Sequence, residues 1–164
     1  MKHLLILFAF VTSTLAAEPV PPPTPPVDFI DTSFENASPL WYEFAEDGTV
    51  IVNLNYDQER LSPNRAAGHF HFRIQAAKGR KITLELRNLA NVWNSKAGSV
   101  AKEIKQVVIS QDGKNWTPVP TESPEEGRVL VTLEMPGDSL FVARAEPYRV
   151  SDLNRFLDEI KASP

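Results

Sequence analysis

Cysteine is absent from the 164 residues, which excludes a disulfide framework and a lipid-modified N-terminal cysteine and leaves an ordinary hydrophobic core to hold any domain together. Histidine is scarce. Of the three present, His3 sits in the opening apolar segment, so His69 and His71 are the whole supply beyond it for metal or acid–base chemistry. Glycine is sparse too, with seven in the chain, and there is no glycine-rich phosphate loop, H-x-x-E zinc motif or G-x-S-x-G elbow. No apolar run approaches the ~20 residues of a membrane-spanning helix. Nor is positive charge in excess: 17 basic residues face 21 acidic ones, a formal net charge of −4. With no basic cluster, nucleic acid and anionic membrane surfaces are poor partners.

What is present begins with a short leader. Lys2 supplies a positive charge, Leu4 to Val11 an apolar run, and Thr14-Leu15-Ala16 the small residues of a cleavage site, so residues 1–16 read as a signal peptide. That places the protein in the periplasm or outside the cell, with no membrane association once the signal is removed. Residues 17–27 hold six prolines between Pro19 and Pro26 and read as a stiff, extended spacer. Residues 28–150 then form one domain, and 151–164 a terminal helix and tail.

The body of the chain alternates with period two. Val50, Val52 and Leu54 share a face in "TVIVNL", Phe70, Phe72 and Ile74 in "GHFHFRI", and Ile82, Leu84 and Leu86 in "KITLEL", where Lys81, Thr83, Glu85 and Arg87 face out. Further strands are expected at Lys105 to Ser110, Trp116 to Val119, Arg128 to Leu133 and Ser139 to Ala145, separated by the turn signals "KGRK", "DGKN", "PEEG" and "PGDS". Strands with one apolar face each must cover one another, so the fold class is all-β, a jelly-roll-like antiparallel β-sandwich. One helix closes it: Leu153, Phe156, Leu157 and Ile160 recur at helical spacing behind Ser151, a good N-cap. The stretch Ala90 to Glu103, which carries Trp93, reads as a long irregular loop.

Alternation puts His69, His71 and Arg73 together on the face opposite Phe70, Phe72 and Ile74. A zinc site needs three or four ligands, and no third histidine or cysteine is available, while Arg73 opposes a cation. The two histidines are weak metal candidates, and the expectation is an exposed polar strand face with no cofactor. Carboxylates such as Asp28, Asp31, Glu35, Glu125 and Glu126 would have to face each other in a pair to hydrolyse glycosides; solvated surface is their default reading.

"ISQDGKNWTPV", Ile109 to Val119, is a hairpin in which Asp112-Gly113 suits a turn with positive φ and Trp116 covers the core on the return strand. Similar hairpins occur in discoidin-like and other carbohydrate-binding jelly rolls. The order of motifs is more specific. "FENAS" at Phe34, "HFHFRI" at His69, "SQDGKNW" at Ser110, "LFVARAEPY" at Leu140 and the helix after Tyr148 follow one another as in the N-terminal β-sandwich domain of zinc carboxypeptidases, in the branch of the carboxypeptidase A superfamily related to cytosolic carboxypeptidases. The resemblance spans about Phe29 to Ile160. It equates the family's phenylalanine-rich strand ending in arginine with Phe70, Phe72 and Arg73. The alanine-x-x-proline-tyrosine signature falls on Ala143 or Ala145 with Pro147 and Tyr148. Where His69 or His71 stands, the family usually has a bulky aromatic.

In that family the sandwich precedes a catalytic domain that holds the zinc ligands, the carboxylate-gripping arginines and the glutamate base. None of these is in this chain, so the resemblance carries no catalytic residue over to it. It implies a non-catalytic accessory domain for folding, substrate access or protein interaction, with a zinc carboxypeptidase catalytic domain or a homodimer mate as partner at the helix stripe. The alternatives are a fragment of a full-length zinc carboxypeptidase and a secreted carbohydrate-binding module, for which Trp41, Tyr42, Trp93 and Tyr148 are the candidate platforms.

Overall fold

Period-two segments pair edge to edge and stack their apolar faces, and the computed structural model shows how. It describes residues 24–57 and 63–163; the expected leader and all but the last four residues of the proline-rich spacer lie outside the described residues. Among the described residues eleven strands form: β1 (Phe29–Asp31), β2 (Leu40–Phe44), β3 (Val50–Leu54), β4 (His71–Gln75), β5 (Lys81–Arg87), β6 (Ala90–Trp93), β7 (Lys96–Ser99), β8 (Gln106–Ser110), β9 (Thr117–Pro120), β10 (Val129–Glu134) and β11 (Ser139–Ala143). One layer is an antiparallel sheet in the order β1-β4-β11-β8-β9. The other runs β10-β5-β3-β2, and here β3 and β5 are parallel, so this layer is mixed rather than purely antiparallel.

The core lies between the two layers. Phe70, Phe72, Ile74, Leu140 and Val142 come from one side and Val52, Leu54, Ile82, Leu84 and Leu86 from the other, all essentially without solvent contact. Each such side chain stabilises the fold by about 1.5–3 kcal/mol through burial. Val27, at the end of the proline run, is buried among them, and the Arg80 guanidinium donates to the Pro25 carbonyl at 2.7 Å.

Three expectations change. Glu85 does lie on the outer face of its sheet, yet it is buried, because Arg87 and Arg128 close over it. Hydrogen bonds from Arg128 and then from Arg87 hold its carboxyl below the usual range against the opposing effect of burial. The stretch from Ala90 is not irregular: β6 and β7 form a hairpin, turned by Asn94 and Ser95, both at positive φ, as a two-residue turn of this hand requires. The third concerns the helix α1 (Val150–Ala162). Its N-cap is Arg149, not Ser151. Asp152 reaches back to accept the Arg149 backbone N–H at 3.1 Å, the returning half of a capping box. The stripe of the helix faces solvent: Leu153, Phe156, Leu157 and Ile160 are each 41–53 % exposed. No helix among the described residues is long and apolar enough to cross a membrane.

Candidate functional site

The outer face of the five-stranded sheet gathers the residues that the sequence sets apart. Register places Asp31, Arg73, Phe141 and Ser110 in one row across β1, β4, β11 and β8. His71 occupies the next row, opposite Ala143. A bare sheet face would leave these side chains wet. Two segments from outside the strands cover them instead.

The first is the loop after β1, which brings Phe34 edge-on to His71 at 4.9 Å and to Phe141 at 5.3 Å between ring centroids. The second is the β8–β9 hairpin. The Ser110 hydroxyl donates to the Asp112 carboxylate at 2.9 Å and accepts the Gly113 N–H at 2.9 Å. Asp112 also accepts the N–H groups of Lys114 and Asn115, both at 2.8 Å, and these bonds, Asn115 first, hold its carboxyl well below the usual range. Gly113 supplies the positive φ, +67°. The turn so fixed delivers Trp116 to His71 at 5.6 Å and to Phe141 at 6.5 Å. Trp116 is half-buried on this outer face and is not part of the core between the layers.

His71 is therefore not on a wet strand face, contrary to the alternation argument. It is 2 % exposed, ringed by Phe34, Phe141 and Trp116. Neither ring nitrogen has a hydrogen bond of good geometry, and burial pushes its pKa down to about 4 despite the nearby Asn36 backbone. A buried neutral imidazole among aromatic rings packs as an aromatic does. His69 is exposed, with its backbone N–H on the Asp57 carboxylate at 3.3 Å. Among the described residues no three His, Asp or Glu side chains converge to hold a metal ion. Arg73 lies over the rings of Phe34 and Phe141, at 5.7 and 5.5 Å from their centroids, and its charge is matched by Asp31.

Helix α1 starts from this same face. Glu35, next to Phe34, accepts the Ser151 N–H at 2.9 Å and the Ser151 hydroxyl at 2.6 Å. A carboxylate there satisfies an orphan donor at the positive end of the helix. Asp152 takes bonds from Arg149 at 2.8 Å and Arg155 at 3.0 Å. Between hairpin and helix runs a groove of about 380 Å³, whose lining includes Lys114, Trp116, Tyr148, Arg149 and Arg155. Glu146 and Asp152 line it too, and Asp152 is paired with both arginines, so the groove has aromatic walls and charges of both signs, an arrangement suited to holding a surface.

The remaining candidates do not assemble. Trp41 (55 % exposed) and Tyr42 alternate on β2, Trp93 (65 %) is at the tip of the β6–β7 hairpin and Tyr148 (66 %) precedes the helix. Among the described residues no ring contact joins any two of them; Tyr42 instead meets Phe44. Of the named carboxylates, Asp31 is engaged by Arg73 and Ser33, Glu35 by Ser151, and Glu125 by Arg128, which also holds Glu85. Residue-by-residue reading missed Phe34, Phe141, Arg149 and Asp152. Their signal was in the motifs, since all five stretches that carry the resemblance meet on this one face.

Residues 30–144 match the model of the cytosolic carboxypeptidase N-terminal domain. Among solved structures, the chain is similar to a metallo-carboxypeptidase from Burkholderia cenocepacia, at 17 % identity and a TM-score of 0.62 over 83 % of this chain and 33 % of that one. It is also similar to a metallo-carboxypeptidase from Pseudomonas aeruginosa in complex with (2-guanidinoethylmercapto)succinic acid, at 22 % identity and a TM-score of 0.61 over 80 % and 33 %. The chain thus spans about a third of the length of these structures. No curated protein matches it.

Proposed function

Because the chain belongs to the family of cytosolic carboxypeptidase N-terminal domains, we propose that it is a non-catalytic accessory domain that docks against a zinc carboxypeptidase catalytic domain, through the stripe of α1 and the groove beside it. One observation carries this reading: side chains on the outer face of the five-stranded sheet and in the loop after β1 fix where the final helix starts. Phe34, His71, Trp116 and Phe141 build the platform, Glu35 and Asp152 fix the first turn, and the helix then carries four large apolar side chains in solvent. A 13-residue helix is marginal in water without a surface to pack on. The reading holds whether the catalytic domain is on the same polypeptide or another, and export to the periplasm is proposed with it from the leader.

The test is to add the purified chain to a metallocarboxypeptidase catalytic domain stripped of its own sandwich and to follow that domain's melting temperature. A partner that binds only the folded form raises it in proportion to the logarithm of concentration. A concentration-dependent rise supports docking, and a flat response contradicts it.

A further inference from the structure

The two sheets have four edges, and three are blunted. β9 carries Pro118 and Pro120, which lack the N–H that a new strand would need. β1 is only three residues long. β10 already exchanges bonds on its outer side, where Leu130 and Glu122 pair at 2.7 and 2.9 Å. The fourth edge, β2, is five residues long and reads LWYEF, and among the described residues it carries no proline and no strand pairs with its outer side. Edges left in this state are templates for another strand.

The phase of its free hydrogen-bonding groups can be read directly. Ala45 donates to Thr49 at 2.9 Å, and bonded pairs alternate along an antiparallel ladder. With the register Trp41↔Asn53 and Glu43↔Ile51, residues 41 and 43 bond to β3. The N–H and C=O groups of Leu40, Tyr42 and Phe44 therefore point outward. Among the described residues none of them has a partner.

We infer that β2 pairs antiparallel with β2 of a second copy of this chain, about a two-fold axis at Tyr42, joining the two four-stranded sheets into one. The occupant follows from self-complementarity. With Tyr42 opposite its own copy, Leu40 falls opposite Phe44 of the partner, and all three outward-pointing residues meet outward-pointing residues, so every free donor finds an acceptor. On the inner face Leu40, Tyr42 and Phe44, the last 44 % exposed, meet apolar and aromatic counterparts. On the outer face each Glu43 faces a Trp41 rather than the other Glu43, so no like charges oppose each other, a pairing that would destabilise. A one-residue slip would set bonded groups against free ones and is excluded. This dimer is independent of the docking proposed for α1.

The register makes the test specific, because Trp41 and Glu43 are exposed and their exchange leaves the core alone. Three purified chains are compared by sedimentation equilibrium: the parent, Trp41→Glu, and Trp41→Glu with Glu43→Lys. The parent should have twice the mass of one chain at tens of micromolar. Trp41→Glu sets glutamate against glutamate at two places and should weaken association roughly tenfold or more. The double variant sets glutamate against lysine at both places and should recover the dimer. A parent that is monomeric throughout, a Trp41→Glu chain as dimeric as the parent, or a double variant no better than the single one would overturn the proposal. Circular dichroism of the three, if unchanged, ties any difference to association rather than folding.

Discussion

The carboxylate of Glu35 takes both the backbone N–H and the hydroxyl of Ser151, 116 residues further along the chain. That pair ties the loop covering the outer sheet face to the first turn of α1. The bonds from Ser151 lower the Glu35 pKa, so the tie is complete above the ordinary carboxylate range and is lost as the pH falls through the lowered value.

Replacing Glu35 with Gln should therefore loosen the start of the helix and leave the sandwich folded. Amide hydrogen exchange is the measurement: protection should fall at residues 151–155 and stay unchanged in β4, β5 and β11. Uniform loss across the sheets, or none at the helix, would contradict the tie.

His71 makes stability depend on pH. Its folded-state pKa, about 4, lies below the ordinary 6.5, so the neutral ring's contribution is full above pH 6.5 and is lost as the pH falls toward 4. At ~1.4 kcal/mol per unit, the loss between pH 7.5 and 5 is about 2 kcal/mol. Urea unfolding at the two pH values should show it in the parent. His71→Phe, which keeps an aromatic against Phe34 and Trp116, should be nearly flat over that window. Equal slopes in the two proteins would place the effect elsewhere.

Trp116 and Phe72 should differ in consequence because they lie on different sides of one sheet. Phe72 has no solvent contact, and Phe72→Ala should cost about 3–5 kcal/mol. Trp116 is half-buried on the platform, and Trp116→Ala should cost about 1–2 kcal/mol, a fraction of the full core penalty. Chemical denaturation of the two variants checks the order; a larger loss for Trp116→Ala would make the platform the true core.

Alternation predicted the strands and the inner face well, since Phe70, Phe72, Ile74, Ile82, Leu84 and Leu86 are all buried. It failed at His71 for a physical reason. Period two tells which face a side chain is on, not what lies over that face, and the cover here comes from Phe34 and Trp116 in loops far away in sequence. Glu85 misled in the same way, because two arginines supply its lid. Ser151 looked like the cap because hydroxyl residues favour that position, yet the cap is Arg149, two residues earlier, with Asp152 accepting the Arg149 N–H and Glu35 the N–H of Ser151. The positive φ at Gly113 was legible, since glycine takes it without strain, but the connection runs from Ser110 to Thr117 rather than through a tight two-residue turn, and where it sends Trp116 was not legible. The candidate site emerged from the order of the motifs rather than from any single residue.

Docking through the α1 stripe is open to titration calorimetry against a metallocarboxypeptidase catalytic domain lacking its own sandwich. Phe156 and Ile160, each 53 % exposed, are changed together to Asp, which should leave the sandwich's unfolding midpoint where it is. The parent should bind saturably and the variant with an affinity lower by tenfold or more, about 1.4 kcal/mol or beyond. Binding of equal strength by both proteins, or by neither, would contradict it.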